Sequence, residues 1–440
     1  MSLDSDIQEI RSRSDIDEIR QELMDYPNVW STGFGNKLVD DNTTNVACLM
    51  VYVNEKPDIE ALNDDERIPE EVRGIRTDVR LVPEKEITSA ENTHTLLTRS
   101  RSFTDQVAGG TQIHRDTGYY GSIGISVTGP SGEKCILTNH HVVSDDSFSN
   151  EDRTTSIGRT MYSTRYAEAP TDTYTRELGT VIDASDTSDS GADWALIEVP
   201  TTADYTNEIL GFDAIGEIQE PQFSDRLIMS GGRTGLIGAE LLAVGVGSQF
   251  GDRYEYVVDQ ENTTGGNSGS AIGVVKNGTF HPFGLHHAEG TNITTSITSG
   301  YAVELSTVLS QSGSSLDTSA YSKTTISYSD LFGTEYDVPA FEATIIDYDN
   351  TTGTVDVLVI NIANTSGTQN VVLQTKNGYE VSSTPVTLDS NENTIVSLDR
   401  IHDTTAAVKT DDYTWTIDME PYLDVLPIKP PINILLQNTT

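Results

Sequence analysis

The stretch Thr263-Thr264-Gly265-Gly266-Asn267-Ser268-Gly269-Ser270-Ala271 sets a serine among glycines. Glycine tolerates positive φ and lets a ligand come close to the backbone, so such a segment can fold into a tight turn. A turn of this kind aims amide N–H groups and one hydroxyl at a single point. Acyl transfer needs that equipment: a nucleophile, and donors placed where the oxyanion of a tetrahedral intermediate forms. Alone, the stretch also reads as an ordinary Gly/Ser loop. Its company along the chain decides between the two.

A serine hydroxyl is a poor nucleophile until a base takes its proton, and the base must be held in the right tautomer by a third group. Upstream, Cys135-Ile136-Leu137-Thr138-Asn139-His140-His141-Val142-Val143 leads an apolar, strand-like run into a polar turn bearing histidine. Between the two stretches, Ala192-Asp193-Trp194-Ala195-Leu196-Ile197-Glu198-Val199 places an aspartate at the mouth of another apolar run. The chain order is therefore His, Asp, Ser. That order belongs to the chymotrypsin-like double β-barrel and differs from those of subtilisins and α/β-hydrolases.

The segment Leu137 to Val143 resembles the histidine motif of bacterial trypsin-like serine proteases, in which the catalytic histidine directly precedes a valine. On that match the base is His141 and not His140. Asp193 to Ile197 resembles the family's aspartate motif, and Thr263 to Ser270 is similar to the serine motif of the glutamyl endopeptidases. The resemblance implies that Ser268 is the nucleophile, that Asp193 orients His141, and that the N–H groups of Gly266 and Ser268 form the oxyanion hole. It also implies that Thr263, with His286 of Gly284-Leu285-His286-His287, binds an acidic P1 side chain. Ala288-Glu289 departs from the pattern, standing where glycines usually let the substrate backbone pair with the enzyme.

The fold class this predicts is mainly β: a chymotrypsin-like double β-barrel with a small N-terminal α/β domain and a C-terminal immunoglobulin-like β-sandwich. A chain of 440 residues is long enough for three domains at about 150 residues each. In residues 1–95, Ile7, Ile10, Ile16, Ile19 and Leu23 recur at near-helical spacing, whereas Val46, Cys48, Met50 and Tyr52 alternate as in a strand. A further helix is expected over Pro57 to Asp65 and a strand over Thr77 to Val82. A linker is expected at 96–112, the protease domain at 113–310, a serine-rich linker at 311–322, and the sandwich at 323–440, where strand signals alternate with Asn/Gly/Ser turns.

Asp and Glu number 68 against 27 Lys and Arg, for a formal net charge of −41. Such a surface repels nucleic acid and anionic membranes. Because the acidic residues are spread along the chain and lysine is scarce, the composition resembles that of halophilic proteins, in which concentrated salt screens the repulsion. The N-terminus lacks a basic region followed by an apolar one, and no apolar run is long enough to span a bilayer, so the expected location is cytoplasmic or virion-associated. Cys48 and Cys135 read as small buried hydrophobes.

The expected partner is a polypeptide substrate, with homo-oligomerisation through the flanking domains, no nucleic acid, no membrane insertion, no cofactor and no metal. Two other classes are weighed beside it. One is a protease fold retired to a structural role, such as an assembly or virion component. The other is a metal site built from His140, His141, His286 and His287. Adjacent histidines on an extended chain point to opposite faces, and no His-x-x-x-His or Cys-x-x-Cys spacing accompanies them, which counts against it.

Overall fold

Cys135-Ile136-Leu137 and Ala195-Leu196-Ile197 are apolar at every position, the pattern of strands covered on both faces. The computed structural model describes residues 3–39, 42–63, 66–82, 84–86, 107–115, 120–144, 153–165, 174–185, 192–200, 205–209, 212, 215–247, 252–258, 266–291, 298–318, 341–349, 354–361, 366–375, 380–389, 392–399, 406–408 and 434–438. The chain opens with helices α1 (Leu3–Arg11) and α2 (Ile16–Met24), then strands β1 (Val29–Val39), β2 (Asn42–Val53), β3 (Glu71–Val72), β4 (Ile75–Leu81) and β5 (Glu84–Glu86). Next come β6 (Val107–Gly109), β7 (Gln112–His114), β8 (Tyr120–Ser122), β9 (Ile125–Thr128) and β10 (Lys134–Thr138). Two short helices, α3 (His140–Val143) and α4 (Arg153–Ser156), precede β11 (Thr160–Arg165), β12 (Tyr174–Ala184), β13 (Ala195–Glu198) and β14 (Tyr205–Ile209). The second half of the core holds β15 (Arg226–Gly231), β16 (Gly235–Val246), β17 (Arg253–Val258), β18 (Ala271–Lys276), β19 (Thr279–Thr291), β20 (Thr298–Glu304), α5 (Leu305–Ser312) and β21 (Ser315–Leu316).

Strands β15, β18, β19, β20, β17 and β16 pair in that order, and β15 pairs back onto β16, which closes a six-stranded barrel. Strands β9, β10, β13, β12, β11, β7 and β8 form an open sheet that curls into a half-barrel. The fold is thus mainly β, in keeping with a chymotrypsin-like double barrel. The doubly apolar strands explain how the halves join. Ile136, Ala195 and Ile197 fill the interior of the half-barrel with Met161, Leu178 and Val181. Their neighbours Cys135, Leu137 and Leu196 turn the other way and pack with Ile228, Leu236, Phe280, Leu285 and Val303 of the closed barrel. Removing a side chain such as Leu137 from that seam would cost about 2–5 kcal/mol. Cys48 and Cys135 are buried, and burial pushes both thiols up to about 12.

The N-terminal segment is not set apart from this core. Strand β1 pairs with both β2 and β16, so its sheet runs on from the closed barrel. Ile7, Ile19 and Leu23 lie on that sheet's inner side, in one cluster with Leu227, Tyr256 and Phe283 of the barrel. On the opposite face, Glu255 of β17 accepts hydrogen bonds from Tyr301 at 3.1 Å and from Tyr52 of β2. The helix expected over Pro57 to Asp65 is only a 3-10 turn at Ile59–Ala61, because Ile59 is exposed and has no core to face. Strand β5 pairs antiparallel with the far end of β19, Glu86 opposite Glu289.

Strand β6, which pairs with β14, falls where a linker was expected, and β21, in the other expected linker, pairs with β9. Both stretches read as polar connections because their pairings are with distant segments. Beyond them, β22 (Phe341–Asp349), β23 (Thr354–Asn361) and β26 (Asn393–Asp399) form one antiparallel sheet. A second sheet holds β24 (Gly367–Thr375), β25 (Glu380–Leu388), β27 (Ala406–Val408) and β28 (Ile434–Asn438). The two sheets share a core of Phe341, Val357, Val359, Val371, Leu373, Val386 and Leu398.

Candidate active site

The apolar strand β10 delivers Asn139 and the α3 turn to the seam between the barrels, and β13 begins just after Asp193 at the same end, since Thr138 pairs with Ala195. Asn139 Nδ2 donates to the Asp193 carbonyl oxygen at 2.8 Å, fastening the two segments. The Asp193 carboxylate is buried and accepts four hydrogen bonds. Its Oδ1 takes the backbone N–H groups of His140 at 2.6 Å and His141 at 3.2 Å. Its Oδ2 takes His141 Nδ1 at 2.5 Å and His287 Nδ1 at 2.8 Å. Burial alone would raise this carboxyl, but the charge and hydrogen bond of His141, with the hydrogen bond of His287, hold it well below the usual carboxylate range. His140 turns away, its Nε2 lying 3.0 Å from Ser156 Oγ.

The serine turn is stitched to the same place by main-chain and hydroxyl bonds. Ser122 N–H donates to the Ser268 carbonyl, Ser122 Oγ to the Gly266 carbonyl, and Thr138 Oγ1 to the Ser122 carbonyl, each at 2.8 Å. From the other side, Gly269 N–H donates to the His286 carbonyl at 2.9 Å and His286 N–H to the Ser270 carbonyl at 2.8 Å. The hairpin tip between β15 and β16 braces the turn through Thr234, whose hydroxyl lies 3.1 Å from Asn267 Oδ1. Gly266 and Gly269 have φ of 111° and 89°, left-handed values for which glycine is suited. Among the described residues no acceptor takes the N–H of Gly266 or Ser268.

The structure therefore joins His141 to Asp193 and holds the Ser268 turn against the strand that carries them. The Ser268 hydroxyl is buried and has no hydrogen-bond partner among the described residues, so its contact with the imidazole is not formed here. Catalytic hydrogen bonds are often long without substrate and tighten in the complex. Thr263 lies outside the described residues. His286 is buried, its Nδ1 bonded to the Tyr256 hydroxyl and its Nε2 3.3 Å from Glu289 Oε1.

His287 is the residue at this carboxylate to which the sequence did not point. Burial lowers its pKa to about 4, against the lift from its hydrogen bond to Asp193, so at neutral pH it is an uncharged donor. In the unfolded chain a histidine takes up a proton near 6.5. The unfolded state thus binds more protons between those two values, and stability falls as the pH drops through that window. His287 is expected to remove about 3 kcal/mol of unfolding free energy between pH 7 and 4. Urea unfolding across that range checks it: the His287→Gln variant should lose most of the slope, and an unchanged slope would contradict the assignment. Asp193 contributes in a separate window, its stabilisation being lost only below the ordinary carboxylate range.

His141, Asp193 and His287 each place a potential metal-ligating atom within 4.8 Å of the others. Both Nδ1 atoms, however, are hydrogen-bonded directly to the carboxylate oxygen that a metal would need. The four histidines weighed as a metal site do not converge, since His140 faces Ser156 and His286 faces Tyr256 and Glu289. Among the described residues no helix is long and apolar enough to cross a membrane.

No protein-family model matches the sequence, and no curated protein matches it. Among solved structures the chain is similar to Thermobifida fusca protease A, at 16% identity and a TM-score of 0.35 over 49% of this chain and 100% of that one. It is similar to Nocardiopsis protease at 16% identity and a TM-score of 0.34, over 48% and 100% of the two chains. A Cellulomonas bogoriensis chymotrypsin follows at 16% and 0.33, over 49% and 100%.

Proposed function

We propose that this chain is a serine endopeptidase. The observation that carries the reading is the buried Asp193 carboxylate bonded to His141 Nδ1 at 2.5 Å, beside a glycine-flanked serine turn. In this mechanism Ser268 Oγ attacks the scissile carbonyl while His141 takes its proton, then returns it to the leaving amine. Asp193 keeps the Nδ1 hydrogen in place and stabilises the imidazolium that forms. The N–H groups of Gly266 and Ser268 receive the oxyanion, a donor pair in which each member is worth about 3–4 kcal/mol of barrier. Function in concentrated salt, which the acid-rich composition favours, belongs to the same proposal.

A fluorophosphonate probe tests the reading, because it phosphonylates only a serine activated by its base and oxyanion donors. The folded protein should form one adduct, on Ser268, and the Ser268→Ala variant none. A folded wild-type protein that forms no adduct would overturn the enzyme and leave a structural role for the protease fold.

A further inference from the structure

Adjacent histidines of β19 serve opposite faces. His287 reaches Asp193, whereas the His286 side chain lies with Tyr256 and Glu289. All three are nearly inaccessible, His286 and Tyr256 at 0% and Glu289 at 3% exposure. Gly300 stands opposite both Tyr256 and Glu289 in the strand register. A Cβ at that glycine would lie 2.4 Å from the tyrosine ring, so its bareness makes the room. Burial and the charge of Glu289 raise the Tyr256 phenol well above its usual range, which keeps its proton. The tyrosine hydroxyl is bonded to His286 Nδ1, and the other ring nitrogen, Nε2, lies 3.3 Å from Glu289 Oε1 without the alignment of a hydrogen bond. This imidazole already faces a carboxylate supplied by its own chain.

We propose that Glu289 occupies from within the acid-recognition seat at His286, so that the protein disfavours acidic P1 residues and accepts small uncharged ones. The inference rests on the endopeptidase reading and runs against the acidic P1 preference that the sequence resemblance implies. An incoming Glu or Asp would have to lie beside a resident carboxylate in a buried space, where like charges oppose each other strongly. The serine turn lies beside this imidazole, its Gly269 and Ser270 being bonded to the His286 main chain.

The experiment compares peptides that differ only at P1, carrying Ala, Leu, Lys or Glu, with wild type, Glu289→Gly and Glu289→Gln, each also labelled with a fluorophosphonate. Wild type should cleave after Glu about 100-fold less well than after Ala. In Glu289→Gly the ratio should move toward Glu by about 10- to 100-fold, because the resident carboxylate beside His286 is gone. Glu289→Gln keeps the side-chain shape while removing the charge, and should shift the ratio the same way by about fivefold even if the glycine variant does not fold. Ser268 labelling at wild-type rate with an unchanged P1 order, or a wild-type preference for Glu, would overturn this inference alone. Absence of labelling in wild type would overturn the endopeptidase reading and this inference with it.

Discussion

Asp193→Asn is expected to lower kcat/KM for a peptide substrate by about four orders of magnitude at neutral pH. The reason lies in the four hydrogen bonds that the carboxylate accepts. Oδ1 faces two backbone N–H groups, and Oδ2 faces the Nδ1 atoms of two imidazoles. An asparagine side chain has one oxygen and one NH2 group. Whichever way it is turned, the NH2 meets two donors. If the NH2 faces the imidazoles, His141 must present a lone pair at Nδ1 and carry its hydrogen on Nε2, where it can no longer accept the proton of Ser268. If it faces the backbone, two amides of the α3 turn lose their acceptor and the turn that carries His141 is disturbed. His287 makes the first choice worse, because a second imidazole must change tautomer with the first. Steady-state kinetics, with urea unfolding to show that the variant is folded, decide the point. Activity within tenfold of wild type would mean that Asp193 does not orient the base.

The same residues show how far the sequence could be read. His141, Asp193 and Ser268 stand out because each breaks an apolar run or a glycine turn with a group that must be hydrogen-bonded if buried. The apolar runs beside them are short and doubly covered, so their burial in two different cores is legible as a pattern even though the partners are not. His287 was hidden by strand geometry. Adjacent side chains on a strand take opposite faces, but which face meets Asp193 depends on the register shift between His286 and Ala288. A shift of one residue exchanges the two imidazoles, and nothing local to the sequence fixes it.

The N-terminal segment illustrates the same limit on a larger scale. Its helical and alternating patterns are visible, with Ile7, Ile19 and Leu23 becoming the buried helix face. Its attachment is not, because Phe34 and Gly35 pair with Val244 and Ala243, some two hundred residues further on. An added Cβ at Gly35 would fall 2.5 Å from the Leu242 carbonyl, so the glycine admits a neighbouring backbone that no local pattern announces.

Gly269→Ala is the second large effect, and it bears on stability and reactivity together. Gly269 has a φ of 89°, and an added Cβ would lie 2.2 Å from Thr138 Oγ1 and 2.5 Å from the Ser122 carbonyl oxygen. Those two atoms are hydrogen-bonded to each other, so the methyl would wedge apart the bond that ties β10 to Ser122, the residue whose N–H and hydroxyl hold the serine turn. The left-handed conformation costs alanine about 1–2 kcal/mol, and overpacking against a main-chain oxygen adds about 1–3 kcal/mol more. A loss of about 2–5 kcal/mol in unfolding free energy is expected, accompanied by at least tenfold slower fluorophosphonate labelling of Ser268. Gly132→Ala supplies the comparison. Gly132 has a φ of 90° but nothing within 4 Å of an added Cβ, so that variant should lose only the backbone part and label at the wild-type rate. Equal losses in the two variants would show that the turn yields to the methyl without moving the nucleophile, and that the close packing between Ser122, Thr138 and Gly269 does not hold Ser268 in place.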